Sequence, residues 1–330
     1  MTENLSAYQP PESRIDLSDL QHKMDAIKNE IKKVIVGQEQ MIDLLLVTLL
    51  TGGHALIEGV PGTAKTITAK LLSKSINAPF SRIQFTPDLM PADIIGTSIL
   101  NMKNNEFEFK KGPIFAQIIL IDEINRAPAK TQAALFECMA ENQISADGNT
   151  FQLPQPFTVL ATQNPVEHEG TYRLPEGQLD RFLFKIEVKY PSLEEEIRIL
   201  EEQNKLKKQD KLKLVNQILT QSDIKNFQEL VAQVFVHDQL IKYIAELVDH
   251  TRHDNNLTLA ASPRASIAIL QSSKALAALK GRDFITPEDI KQIAIPVLAH
   301  RVVLTPEKEL EGLNNEKVIQ QIIEMVEIPR

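Results

Sequence analysis

The sequence predicts a parallel α/β domain of nucleotide-binding type followed by an all-helical domain. Two observations carry this. Up to about Tyr190, short apolar runs suited to buried strands ("HALIEG", "AQIILIDEIN", "FTVLATQNP", "RFLFKIEVKY") alternate with segments of helical period. From Pro191 onward nearly every segment has helical period. A chain of 330 residues has room for two or three domains, and 43% hydrophobic with 24% charged residues is the mix of an ordinary soluble globular protein. The expected division is a flexible arm over residues 1–16, an α/β core over 17–190 and a helical domain over 191–330.

The elements follow in order. The opening "MTENLSAYQPPESRIDLS" is polar and proline-bearing, so no signal peptide is expected and the chain reads as cytoplasmic. Leu20, Met24, Ile27, Ile31 and Val34 recur at helical spacing, and "VGQEQMIDLLLVTLLTGG" is a second helix closed by Gly52 and Gly53. Its run "MIDLLLVTLL" contains Asp43 and is too short to span a bilayer, so no membrane insertion is expected. "HALIEG" is a strand running into a glycine loop, and "KTITAKLLSKSI" is the helix after it. Two hairpins interrupt the alternation, one turning at Asn104-Asn105 and one at Asp147-Gly148. "PAKTQAALFECMAENQ" and "PEGQLD" are helices between the later strands. In the second half "SLEEEIRILEEQNK", "KLVNQILTQSDIKNFQELVAQVF", "DQLIKYIAELVDHTR", "SPRASIAILQSSKALAALKG" and "TPEDIKQIAIPVLAHRV" all read as helical, the last starting at Thr286-Pro287. "KLKKQDKLKL" reads as a solvated helix face.

Composition removes several function classes. A net charge of −8 disfavours a protein built to grip nucleic-acid backbone. The single cysteine, Cys138, excludes an intrachain disulfide and a thiolate metal cluster, and its helical context reads as a small buried hydrophobe.

The chemistry begins at "GVPGTAKT", which departs from the phosphate-loop pattern G-x-x-x-x-G-K-[ST] because Ala64 stands where a glycine is usual. Such a loop aims backbone N–H groups at phosphate oxygens at the positive end of a helix. Gly59, Val60, Pro61, Gly62, Thr63, Ala64, Lys65, Thr66 and Ile67 form the expected cradle. Lys65 would reach the β- and γ-phosphates and Thr66 would bind Mg2+. Alanine is acceptable at position 64 if the backbone there is already helical. A buried strand ending in Asp122-Glu123 supplies one carboxylate to Mg2+ and one to the attacking water. Asn164 at a strand tip can sense the γ-phosphate or simply make an Asn-Pro turn. Arg181 in "LDRF" is either a finger reaching a neighbouring subunit's nucleotide or a partner for Asp180. Arg264 in "SPRAS" either contacts phosphate or lies on a helix surface. His250, His253 and His168 read as solvated, and no Ser-His-Asp arrangement stands out.

Taken together and in this order, "GVPGTAKT", "IILIDEINRAPAKTQAALFECMAE", "VLATQNPVEHEGTYRLPEGQLDRF" and "SPRA" resemble the MoxR family of AAA+ ATPases over about residues 17–310. The resemblance implies an AAA+ core with a helix-2 hairpin insert, a helical lid, and a ring, usually a hexamer, with ATP between subunits. It implies Walker A roles for Lys65 and Thr66, and Walker B roles for Asp122 and Glu123. Asn164 becomes sensor 1, Arg264 sensor 2 and Arg181 the finger, while Val36 and Gly37 in "VGQE" lie beside the adenine. ATP and Mg2+ are the implied cofactors. A client protein and a separate von Willebrand A domain protein are the implied partners. A nucleic-acid motor is the alternative, weakened by the few basic and aromatic residues of the first hairpin (Lys103, Lys110, Lys111, Phe107 and Phe109). A non-hydrolysing switch is a third reading, and Glu123 and Arg181 argue against it.

Overall fold

The computed structural model describes residues 15–329 except 104, 147, 166–170, 173 and 206–210. The expectations for residues 1–14, His168, Asn104 and Asp147 lie outside the described residues. Five strands, β1 (Ala55–Gly59), β2 (Phe80–Gln84), β3 (Ile118–Asp122), β4 (Thr158–Gln163) and β5 (Phe184–Val188), form one sheet in the order β5-β1-β4-β3-β2. Every pair in it is parallel. All carboxyl ends therefore meet at one edge of the sheet, where Gly59, Gln84, Asp122 and Gln163 stand side by side. β3 is buried along its whole length, which is why its sequence is a continuous apolar run instead of an alternating one.

Successive residues of each strand face opposite sides, so the sheet divides the core in two. On one side Ala55, Ile57, Leu120, Leu160 and Ile186 pack beneath α1 (Ser18–Lys32), α2 (Glu39–Thr51) and α3 (Lys65–Lys74). On the other, Leu56, Ile119, Ile121, Val159 and Ala161 pack with residues of α4 (Pro91–Ile95) and α5 (Ala129–Glu141). The short α6 (Glu176–Leu179) precedes β5. The helical region contains α7 (Leu193–Lys205), α8 (Gln221–Ala232), α9 (Asp238–His253), α10 (Pro263–Leu279), α11 (Pro287–Leu298), α12 (Pro306–Leu310) and α13 (Asn315–Met325). The buried apolar residues of α8, α9, α10, α11 and α13 join the first of the two cores without a break. The second core stops at the roots of the hairpins.

The stretch "KLVNQILTQSDIKNF" differs from the sequence expectation. Lys211–Leu214 is a single 3-10 turn, Leu219–Thr220 pairs in parallel with Ile76–Asn77, and the helix begins only at Gln221. Thr220 and Asp223 form a reciprocal capping box, and this fixes the helix start although the apolar pattern runs through it. The two hairpins form as expected, Gly96–Asn101 against Glu106–Lys111 and Gln143–Ala146 against Asn149–Gln152. Phe109 of the first stacks on Phe151 of the second, ring centroids 4.5 Å apart. Cys138 is buried, and burial pushes its thiol up to about 12, so it is the inert hydrophobe expected. Among the described residues no helix is long and apolar enough to cross a membrane.

Candidate nucleotide site

The loop between β1 and α3 owes its shape to two glycines with different duties. A side chain at Gly59 would place its Cβ 2.7 Å from the Val188 carbonyl oxygen, so the loop can leave the sheet only with glycine there. Gly62 has φ +87° in open space, a conformation open to glycine at no cost. Ala64 corrects the sequence reading. Its backbone is left-handed (φ 63°, ψ 12°) and not helical, which costs an L-residue on the order of 1 kcal/mol. Its methyl packs on the core shared with the helical region, a contact glycine could not make.

At the carboxyl edge the polar groups converge. Lys65 Nζ donates to the carbonyls of Gly59 and Gln163, the second at 3.0 Å. Asp122 is buried: its Oδ1 accepts from Thr66 Oγ1 at 2.9 Å and Thr162 Oγ1 at 3.3 Å, and its Oδ2 from Arg82 Nε at 2.7 Å. Glu123, also left-handed with φ 58°, donates its backbone N–H to Thr162 Oγ1 at 3.0 Å. Its carboxylate Oε2 accepts from Gln84 Nε2 at 2.9 Å and Arg126 Nη1 at 3.0 Å. Asn164 is buried at the tip of β4. Arg82, Gln84, Asp122, Glu123, Thr162, Asn164 and the Pro61–Ile67 stretch line one cleft of about 440 Å³, within the range of small-molecule sites. The donor set fits a phosphate ester with Mg2+. A carboxylate and a hydroxyl 2.9 Å apart are hard oxygen ligands, and Lys65, Lys70 and Arg82 bring positive charge to the α3 N-terminus. A larger hollow of about 1310 Å³ under the first hairpin is mostly apolar (Met90, Ile95, Phe107, Phe109) and lacks such convergence. Among the described residues no cluster of His, Cys, Asp and Glu could hold a metal by itself, and His250 and His253 are exposed.

Six of the expected residues do not line this cleft: Gly59 and Val60, which open the loop, and Val36, Gly37, Arg181 and Arg264. Val36 and Gly37 lie between α1 and α2. Gly37 (φ 69°) is covered by the carboxylate of Glu195 from α7, which an added Cβ would meet at 2.1 Å. Arg181 follows α6 and precedes β5. Leu183 N–H bonds the His54 carbonyl at 2.8 Å, level with the start of β1. Arg181 therefore sits at the amino edge, separated from the cleft by the length of β5, about 17 Å. Its Nε is buried without a hydrogen bond, and Asp180 is not its partner. Asp180 instead accepts from Arg301 Nε at 2.7 Å and Ser262 Oγ at 3.5 Å, and Arg264 Nη1 approaches it at 3.7 Å. Arg264 thus stands at the amino edge as well.

The sequence reading passed over Arg82, Gln84, Arg126, Thr162 and Arg301. Arg82 and Gln84 carried a signal, two polar residues two apart at the carboxyl end of a strand and hence on one face. Arg301 carried none, since its contacts lie 118 to 121 residues away. Burial depresses the Arg301 guanidinium below its usual range, with Asp180 opposing, and burial holds the neighbouring His300 well below the usual histidine range.

Residues 54–184 match the family model described as "ATPase family associated with various cellular activities (AAA)", and residues 249–322 match the AAA lid domain. Chaperone MoxR1 of Mycobacterium tuberculosis is 44% identical over 97% of this chain and 86% of its own length. YeaC of Bacillus subtilis is 44% identical over 94% of this chain and 96% of its own. The solved structure of a candidate ATPase from Cytophaga hutchinsonii superposes with a TM-score of 0.87 at 42% identity, covering 95% of this chain and 97% of that one.

Proposed function

The chain belongs to the MoxR family of AAA+ ATPases and is an ATPase; from that premise we propose a ring-forming motor whose catalytic sites are each shared by two subunits. The observation that carries this is the place of Arg181, about 17 Å of strand from its own chain's cleft, with a buried Nε that has no hydrogen bond among the described residues. An arginine so placed serves a neighbouring copy.

In the cleft, the loop N–H groups and Lys65 bind and orient the phosphates of ATP. Thr66 and Asp122 would hold Mg2+, which neutralises charge on the phosphoryl group in transfer. Glu123 accepts the proton of the attacking water as it turns away from Gln84 and Arg126, and Asn164 fixes that water. Arg181 of the adjoining subunit stabilises the transition state, an effect worth about 10³ to 10⁵ in rate. Val36 and Gly37 flank the adenine, and Arg264 answers to the nucleotide through the lid. We take the arm as residues 1–16, the core as 17–190 and the lid as 191–330, with a hexamer as the assembly and the cytoplasm as its location.

Hydrolysis then remodels a client protein, with a separate von Willebrand A domain protein as partner. The name of the M. tuberculosis relative, a chaperone, supports protein over nucleic acid as the object. The test is specific ATPase activity against protein concentration. It should rise steeply as assemblies form. A concentration-independent rate, or full activity in Arg181→Ala, overturns the shared site.

A further inference from the structure

We propose that Arg301 is a positioning residue for Arg181, carrying the placement of the lid to the catalytic site of the next subunit. The inference rests on the shared-site reading above and adds its regulation.

Arg301 follows α11 in the lid, and its side chain is only 4% exposed. Apart from one bond from Nη1 back to the Val297 carbonyl of α11, its guanidinium is spent on Asp180, Phe182 and Leu183. Nε takes the Asp180 carboxylate at 2.7 Å, Nη2 the carbonyls of Phe182 at 2.7 Å and Asp180 at 3.3 Å, and Nη1 the Leu183 carbonyl at 3.1 Å. His300 Nε2 adds a second bond to the Phe182 carbonyl at 3.0 Å. The carbonyls of both residues flanking Arg181 are thus held by the lid, while among the described residues the buried Arg181 Nε has no hydrogen bond. The second Asp180 oxygen faces Ser262 and Arg264 at the start of α10, so two lid elements separated by the whole of α10 and α11 meet on the residue before Arg181.

A staple needed only for stability would be served as well by apolar side chains, because burying a guanidinium is costly unless its geometry is well matched. What the matched geometry adds is direction. Five donors in a fixed plane set the orientation of the chain they hold. Any displacement of α11 relative to the sheet must move Asp180–Leu183, and Arg181 with it.

The test mixes inactive variants in pairs. Arg181→Ala lacks the donated arginine and Glu123→Gln lacks its own hydrolytic group, so their mixture contains some sites complete in both and recovers ATPase activity. Arg301→Gln alone should lower kcat about ten-fold or more while nucleotide affinity changes less than about three-fold. Mixed with Glu123→Gln it should recover; mixed with Arg181→Ala it should not, since both fail on the donating side. Any other pattern of recovery overturns the positioning role. If the Arg181→Ala and Glu123→Gln control fails to recover, the shared-site reading itself falls. Should Arg301→Gln not fold, as judged by its melt, Asp180→Asn removes the same grip from a partly exposed position and must show the same pattern.

Discussion

The two edges of the central sheet make different use of charge. At the carboxyl edge every catalytic candidate has an immediate partner: Asp122 with Thr66 and Arg82, Glu123 with Gln84 and Arg126, Lys65 with two carbonyls. At the amino edge Asp180 takes the Arg301 guanidinium and is approached by Arg264, while among the described residues the Arg181 Nε has no hydrogen bond. The difference follows from topology. Five strands running the same way gather everything that follows a strand at one edge and everything that precedes one at the other. Under the proposed shared-site reading, a site drawing on both edges is completed by a second copy of the chain.

The largest expected effect is the one that would break this contrast. Arg181→Ala should slow turnover by about 10³-fold or more with nucleotide binding retained, measured by steady-state hydrolysis beside a fluorescent-nucleotide titration. Wild-type kcat would make the amino edge idle. Glu123→Gln should cost roughly 10²- to 10⁴-fold, again with ATP bound. If instead binding is lost, Glu123 serves the cradle and not the water.

A pH titration sharpens the comparison through His54, an amino-edge residue. Its Nδ1 accepts from the Val159 N–H at 3.1 Å and its Nε2 faces the Met139 carbonyl at 3.3 Å, which places the proton on Nε2. Burial lowers this histidine from 6.5 to about 4. The unfolded chain therefore takes up its proton first as pH falls, and stability present above pH 6.5 is lost on the way down to pH 4. At about 1.4 kcal/mol per pH unit the total is roughly 3 kcal/mol. His300 acts in the same direction. Melting temperature should fall across that window in the wild type and fall less steeply in His54→Asn, where an amide oxygen replaces Nδ1. Equal slopes would count against it. The smallest effect belongs to Ala64→Gly. Relief of the left-handed backbone, of order 1 kcal/mol, is opposed by the lost methyl contact, so hydrolysis stays intact and affinity shifts only modestly. Activity gained from none would mean the natural loop is defective.

Much of this was legible in the chain itself because it is local. The glycine loop, the buried strand ending in two acids and the Asn-Pro tip are each contiguous, and the structure brings Lys65, Thr66, Asp122, Glu123 and Asn164 into one cleft. Where several distant segments decide the outcome, local pattern gives out. "SPRA" places Arg264 correctly at a helix start, yet not that helix start beside Asp180. The identity of Ala64 does not reveal its φ, which the flanking strand and helix impose. The apolar rhythm through Thr220 hides a helix start that one capping box decides. Arg301 meets its partners only after the lid has folded back over more than a hundred residues.

The aromatic joint between the hairpins has a mechanical consequence. The second hairpin grows from the end of α5, and α5 begins one short turn after Glu123. The stacking of Phe151 on Phe109, with Phe115 edge-on to both, ties the first hairpin to the second. A tilt of α5 therefore swings both hairpins as one lever whose fulcrum lies beside the Glu123 carboxylate, and removing either ring would uncouple its two arms.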